Sequence, residues 1–214
     1  MHSSVVDILA AGAALLAVCM CGVVGVPALL RALGVQAALL AAITALLGFE
    51  LLSPHYYVLA AVVLVVKAIA IPLYLSFAAT RLQIQRDEGV LLQSAMALFV
   101  GFGILVAGYL LAPRIAVASM GYAGAAGMAI TLLLVGMLMM LTRRLALSQV
   151  IGFLVLENGI YLYSLTQTHG MPMVIEMGIV FDVLIAVLVA GVLIFRLNRS
   201  FEHIDVTQLR GLRH

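Results

Sequence analysis

The chain has 214 residues, of which eleven are Lys or Arg and nine are Asp or Glu; 65% are hydrophobic and the mean hydropathy is +1.25. Soluble domains carry about a quarter charged residues, so a charged share of 9% excludes a water-soluble globule, a disordered chain and a nucleic-acid binder. The net charge of +2 is too small to imply an acidic partner, and the chain reads as an all-α integral membrane protein with the lipid bilayer as its solvent.

A helix that crosses the hydrocarbon core needs roughly 20 mostly apolar residues. Along the chain this predicts seven transmembrane helices, at about 4–26, 32–53, 56–78, 90–112, 118–141, 145–167 and 172–196. The first begins Met-His-Ser-Ser-Val-Val-Asp, with an acid and no basic residue, and reads as a retained helix rather than a cleaved signal. Its Cys19 and Cys21 stand two apart, face different ways and imply neither a disulfide nor a metal site. Breaks are predicted at Pro27 with Arg31, at Ser53-Pro54-His55, from Arg81 to Gly89, at Pro113-Arg114, at Arg143-Arg144, and from Thr168 to Pro172. With the N-terminus outside, one face collects Arg31, Arg81, Arg86, Arg143, Arg144, Arg196, Arg199, Arg210 and Arg213, and the other only Arg114. The positive-inside rule therefore predicts N outside and C cytoplasmic, with Arg143 and Arg144 as anchors on the cytoplasmic side. Gln36, Gln93 and Gln149 fall near predicted helix ends and read as interfacial residues or secondary donors.

Four ionisable residues are not explained by helix ends. Lys67, Glu157 and Asp182 fall near the middle of the third, sixth and seventh predicted helices, and Glu176 lies closer to the outer end of the seventh. Each mid-helix charge costs roughly 2.5–3.5 kcal/mol to insert and is normally paired, hydrated or neutralised. Two readings stay open: interhelical clamps, or a relay of sites that exchange protons. Helical spacing adds supporting polar groups. Asn158 follows Glu157, Tyr161 and Ser164 share the Glu157 face, and Tyr74 is the polar neighbour on the Lys67 face. Pro72, five residues after Lys67, frees a carbonyl in the preceding turn. Gly121, Gly124 and Gly127 read as a packing surface. The histidines, His2, His55, His169, His203 and His214, lie in tails and loops without metal-ligand spacing. No catalytic centre and no ligand set for haem, flavin or an iron–sulfur cluster is expected on this chain, which reads as a subunit.

The run Ser148-Gln-Val-Ile-Gly152-Phe-Leu-Val-Leu-Glu157-Asn158-Gly159 resembles the signature of the hydrogenase-4 component E family. Ile175-Glu176-Met-Gly178-Ile-Val-Phe-Asp182, the Val66-Lys67 to Pro72-Leu73 stretch and the tail Ile204-Asp205-Val-Thr-Gln-Leu209 are similar to it as well. The resemblance covers residue 60 or so to the end, and the first two helices match only in hydropathy. From about residue 121 the chain also resembles the K subunit of respiratory complex I and, more distantly, the C subunit of multisubunit cation/proton antiporters. Leu154 stands where the K glutamate would follow Ile-Gly, and Glu157 comes about one turn later; Asp182 matches the second K glutamate.

The resemblance implies an N-terminal four-helix region over 1–117, a K-like three-helix region over 118–200 and a cytoplasmic tail over 201–214. It implies a membrane-arm subunit of a group 4 nickel–iron hydrogenase or formate hydrogenlyase-type complex, in the inner membrane of a prokaryote. The nickel–iron centre and iron–sulfur clusters would reside in partner subunits. Those partners are antiporter-like and H-like membrane subunits and peripheral hydrogenase subunits. A cation/proton antiporter subunit and a purely structural spacer are the competing readings.

Overall fold

A computed structural model describes residues 2–87, 93–117 and 121–168, together with 178, 180–182, 184, 185, 187, 189 and 191. Among the described residues, six helices are long and apolar enough to cross a membrane. They are α1 (His2–Gly22), α2 (Val26–Glu50), the compound span Pro54–Arg81, α5 (Ser94–Ile115), α6 (Ala123–Thr142) and α7 (Ala146–Gln167). The compound span comprises α3 (Pro54–Val62), a π-helical stretch (Val63–Ala70) and α4 (Ile71–Arg81). The predicted seventh helix falls largely outside the described residues; those described between 178 and 191 are all helical. No strand occurs among the described residues, which hold one isolated antiparallel bridge, Gly25 to Arg86.

The second predicted span starts too late. Pro27 does not break the chain there; it sits in the first turn of α2, where its missing N–H and fixed φ suit a helix start. The interruption lies just before it, and Arg31 falls inside α2. This moves Gln36 from a helix end to the interior of α2, where it is fully buried. Proline acts in the same way at Pro54 in α3, whereas Pro113 lies within the last turns of α5.

Successive helices alternate in direction, so side chains sort into two ends. Arg81, Arg86, Arg143 and Arg144 lie at one end, the arginine end. Tyr56, Tyr57, Tyr109, Tyr122, Tyr161 and Tyr163 lie toward the other, the tyrosine end. Between them the bundle packs backbone to backbone. A Cβ added to Gly159 of α7 would lie 2.6 Å from the Leu133 amide nitrogen of α6, so glycine is required for this approach. The predicted Gly121–Gly127 packing surface is more varied. Gly127 meets Gly108 of α5, Gly124 lies under the Asp7 carboxylate, and Gly121 is a turn residue with φ of 73°.

The π-helical stretch sets the phase of the third span. In a regular helix of 3.6 residues per turn, positions four apart drift steadily around the axis; the wider i→i+5 turn drifts the other way. Val63, Lys67, Ile71 and Leu75, each four apart, are all buried. The Ile71 amide donates to the Val66 carbonyl across the widened turn. Ahead of it the Ala68 carbonyl faces Gly34 of α2, with Pro72 beside it. The irregularity expected at Pro72 therefore begins earlier, and Lys67 lies inside it.

Candidate functional site at the bundle midplane

Lys67 comes from the middle of its span and Glu157 from the middle of α7. The Lys67 Nζ donates to Glu157 Oε1 at 2.8 Å and lies 3.5 Å from Asp182 Oδ2. All three residues are buried, at 7%, 5% and 2% exposure. Glu157 Oε2 and both Asp182 oxygens have no hydrogen-bond donor among the described residues. A side chain at Gly178, one turn before Asp182, would strike Glu157 Oε1 at 2.8 Å. A small residue there leaves the carboxylate its place. Phe181 stacks edge-on against Phe153 of α7, with ring centroids 6.0 Å apart, and fixes this helix beside α7. One ammonium faces two carboxylates, so a single proton on either carboxyl makes the cluster neutral.

The polar groups continue across the same level. Asn158 Nδ2 donates to Gln36 Oε1 at 2.9 Å, and Gln36 Nε2 donates to the Ala13 carbonyl of α1 at 3.1 Å. A belt thus runs from α1 through α2 and α7 to Lys67 and Asp182. The amide link sets the rotation of α7 and so points Glu157 at Lys67. One turn toward the tyrosine end, Tyr161 Oη lies 2.7 Å from Thr44 Oγ1, which donates to the Leu40 carbonyl at 2.8 Å.

Of the residues singled out from sequence, Lys67, Glu157 and Asp182 meet, with Asn158 and Tyr161 adjoining. Tyr74 stands half-buried on α4, two turns past Lys67. Glu176 lies outside the described residues. Gln36 and Thr44 carry polar contacts that the sequence reading did not assign. The usable signal for Gln36 is Pro27 as a helix start, which places it well inside α2; Thr44 lies inside the predicted helix as well, and a lone threonine there carries no signal.

A second buried ionic group lies at the arginine end. Arg143 is 2% exposed, and its Nη2 donates to the carbonyls of Met20, Cys21 and Val23 at 3.0, 3.0 and 2.7 Å. These carbonyls end α1, where a cation also meets the negative end of the helix dipole. Arg143 Nη1 is 4.0 Å from Asp87 Oδ2. Burial pulls the guanidinium below its ordinary value, and the neighbouring Asp87 opposes this. Arg143 is therefore an internal cap rather than the surface anchor expected; Arg144, which is exposed, fits the anchoring reading. At the tyrosine end, Asp7 accepts the Ala125 amide of α6 at 2.7 Å, and Tyr122 donates to Glu50. Burial and the Glu50 carboxylate push the Tyr122 phenol up. Among the described residues, no three of His, Cys, Asp and Glu gather as a metal site would require.

Over 213 residues the chain is 33% identical to the uncharacterized protein Rv0085 of Mycobacterium tuberculosis, covering 99% of this chain and 97% of that one. The chain belongs to the family of that protein. It is also 26% identical over 179 residues to hydrogenase-4 component E of Escherichia coli K12 and of Shigella flexneri, covering 83% of each chain. That distant relationship supports the hydrogenase-4 component E resemblance and covers more of the chain than the stretch from residue 60 to the end. No family model and no solved structure matches the chain. The apolar helices and this relationship together make it a multi-pass membrane protein.

Proposed function

We propose that this chain is a membrane-arm subunit of a group 4 hydrogenase-type redox complex, in which Lys67, Glu157 and Asp182 form a proton-transfer site coupled to electron transfer in partner subunits. The observation that carries the reading is the two-to-one ratio of carboxylates to ammonium at a buried level of the bundle. A clamp between two helices needs one carboxylate. The second, Asp182, gives the cluster two protonation states of different charge, which is what a proton carrier needs. Passing from one to the other changes the field felt by a neighbouring membrane subunit, a route for coupling between subunits.

The same reading has the N-terminus outside, the K-like region at 118–200 and the tail 201–214 on the cytoplasmic side of a prokaryotic inner membrane. Antiporter-like and H-like subunits flank the chain, and peripheral hydrogenase subunits hold the nickel–iron centre and iron–sulfur clusters. The name of the Escherichia coli relative supports this assignment. Glu176 joins the relay as an outer site.

The test is proton translocation by the assembled complex in vesicles. Glu157→Gln and Lys67→Met complexes are expected to assemble yet lose translocation or its coupling to electron transfer, and Glu157→Asp to keep part of it. Parent-like translocation by both variants overturns the proposal. The 2.8 Å Lys67–Glu157 contact favours one second reading, a structural clamp. Under that reading the same substitutions lower assembly in proportion to activity, and Asp182→Asn is silent.

A further inference from the structure

The level of Lys67 divides the bundle into halves with different interiors. Toward the arginine end the described buried positions nearest to it are apolar, among them Leu33, Ile71, Leu75, Ile151 and Leu154, and the buried hydroxyl of Ser148 comes near the start of α7, about 13 Å of helix rise from Glu157. A recess of about 610 Å³ opens at that end between the start of α2, the end of α4 and Arg86. It does not reach the site. Ser76, the residue of α4 nearest to Lys67 in its lining, is about 13 Å of helix rise away. Ile71 and Leu75 lie between.

Toward the tyrosine end the interior carries hydroxyls. Tyr161 stands one turn past Glu157 on the same face of α7. A threonine hydroxyl has one proton, and Thr44 gives its own to the Leu40 carbonyl, so Tyr161 is the donor in the 2.7 Å contact. Tyr56 comes next. It packs on Gly48, one turn past Thr44, lies within electrostatic range of Tyr161, and belongs to the first turn of α3 beside exposed His55.

We infer that the Lys67–Glu157–Asp182 cluster exchanges its proton with the tyrosine end of the bundle, through the hydroxyls of Tyr161 and Thr44, and is sealed from the arginine end by the apolar layer of Ile71 and Leu75. On release, the proton leaves the Glu157 carboxyl through water that crosses one turn of α7 to the Tyr161 oxygen, as Tyr161 hands its own to Thr44. Thr44 turns from the Leu40 carbonyl and passes its proton toward Tyr56. Each hydroxyl finishes with one proton, one proton has moved, and uptake is the reverse. The inference rests on reading the cluster as a proton site, and it adds the side from which that site is served.

The full-length protein in lipid vesicles supplies the test, with the infrared carboxyl band lost in Glu157→Gln or Asp182→Asn as the probe. If neither substitution removes a band, the cluster carries no exchangeable proton and the proposed function itself fails. With the band assigned, Tyr161→Phe and Thr44→Val should leave its position unchanged and slow its exchange into deuterium about a hundredfold. Thr44→Ser, which keeps the hydroxyl, should restore the parent rate, and Ser76→Ala in the recess should leave it untouched. Parent-rate exchange in both hydroxyl variants, or slowing confined to Ser76→Ala, overturns the inference while leaving the cluster's role standing.

Discussion

The two buried ionic groups differ in what answers their charge. Arg143 is held by three backbone carbonyls at the end of α1, with a carboxylate 4.0 Å away. Among the described residues Lys67 is held by side chains alone, two carboxylates with oxygens that lack donors there. Carbonyls cannot titrate, so the groups hydrogen-bonded to Arg143 have one charge state and one geometry. Carboxyls can, so the Lys67 group has more than one. Burial of a charge is thus no guide to its role; the chemistry of its partners is.

The largest effect on stability should come from Arg143→Leu. It strands three carbonyls and leaves the buried Asp87 carboxylate without its guanidinium, at a cost of about 3–5 kcal/mol. Thermal unfolding in detergent measures this. Arg143→Lys should recover only part of it, because an ammonium lacks the planar fork that reaches several carbonyls. A variant as stable as the parent would erase the distinction between the two groups.

Lys67→Met should cost less, about 1–3 kcal/mol, although it removes the cation from two buried carboxylates. Carboxyls can take up protons rather than remain charged in an apolar interior. The same measurement applies. If Lys67→Met unfolds the protein as severely as Arg143→Leu, the cluster is a clamp of the same kind as the Arg143 cap.

These two groups also show what was legible in the sequence. Lys67, Glu157 and Asp182 stand out because nothing near them along the chain explains a charge inside an apolar run. Arg143 gives the opposite signal: a basic pair at a helix end is what interfacial anchoring produces, and nothing local tells which arginine turns inward. Its partners lie more than a hundred residues away at the end of α1. Gln36 was hidden by a boundary error, since reading Pro27 as a stop rather than a start shifted α2 by about six residues. The π-helical stretch left no local mark beyond Pro72. It follows from the need to keep Val63, Lys67, Ile71 and Leu75 on one side, a tertiary requirement.

The Gln36–Asn158 link sharpens the contrast, because it orients Glu157 without touching the charges. Gln36→Leu should cost about 1–2 kcal/mol, the loss of two buried amide hydrogen bonds partly offset by apolar burial. Adding Asn158→Leu should cost less than the separate effects combined, since both remove the same bond. A double-mutant cycle on thermal unfolding measures the coupling. Full additivity would mean that the amides do not act as one link.

The smallest effect is expected at Asp87. Its Oδ2 lies 4.0 Å from Arg143 Nη1, too far for a hydrogen bond, and neither atom has another partner among the described residues. Removing one member of a buried pair is costly when the other charge is left unanswered. Here it is not, because three carbonyls and the negative end of α1 already face the guanidinium. The Asp87 main chain meanwhile keeps its own tie, its amide donating to the Val24 carbonyl at 2.9 Å. Asp87→Asn should therefore cost about 1 kcal/mol or less by thermal unfolding. A loss on the scale of Arg143→Leu would mean that the carboxylate, not the backbone, balances the guanidinium. The two buried groups would then be alike in kind, and charge-state freedom could no longer be assigned to the Lys67 cluster alone.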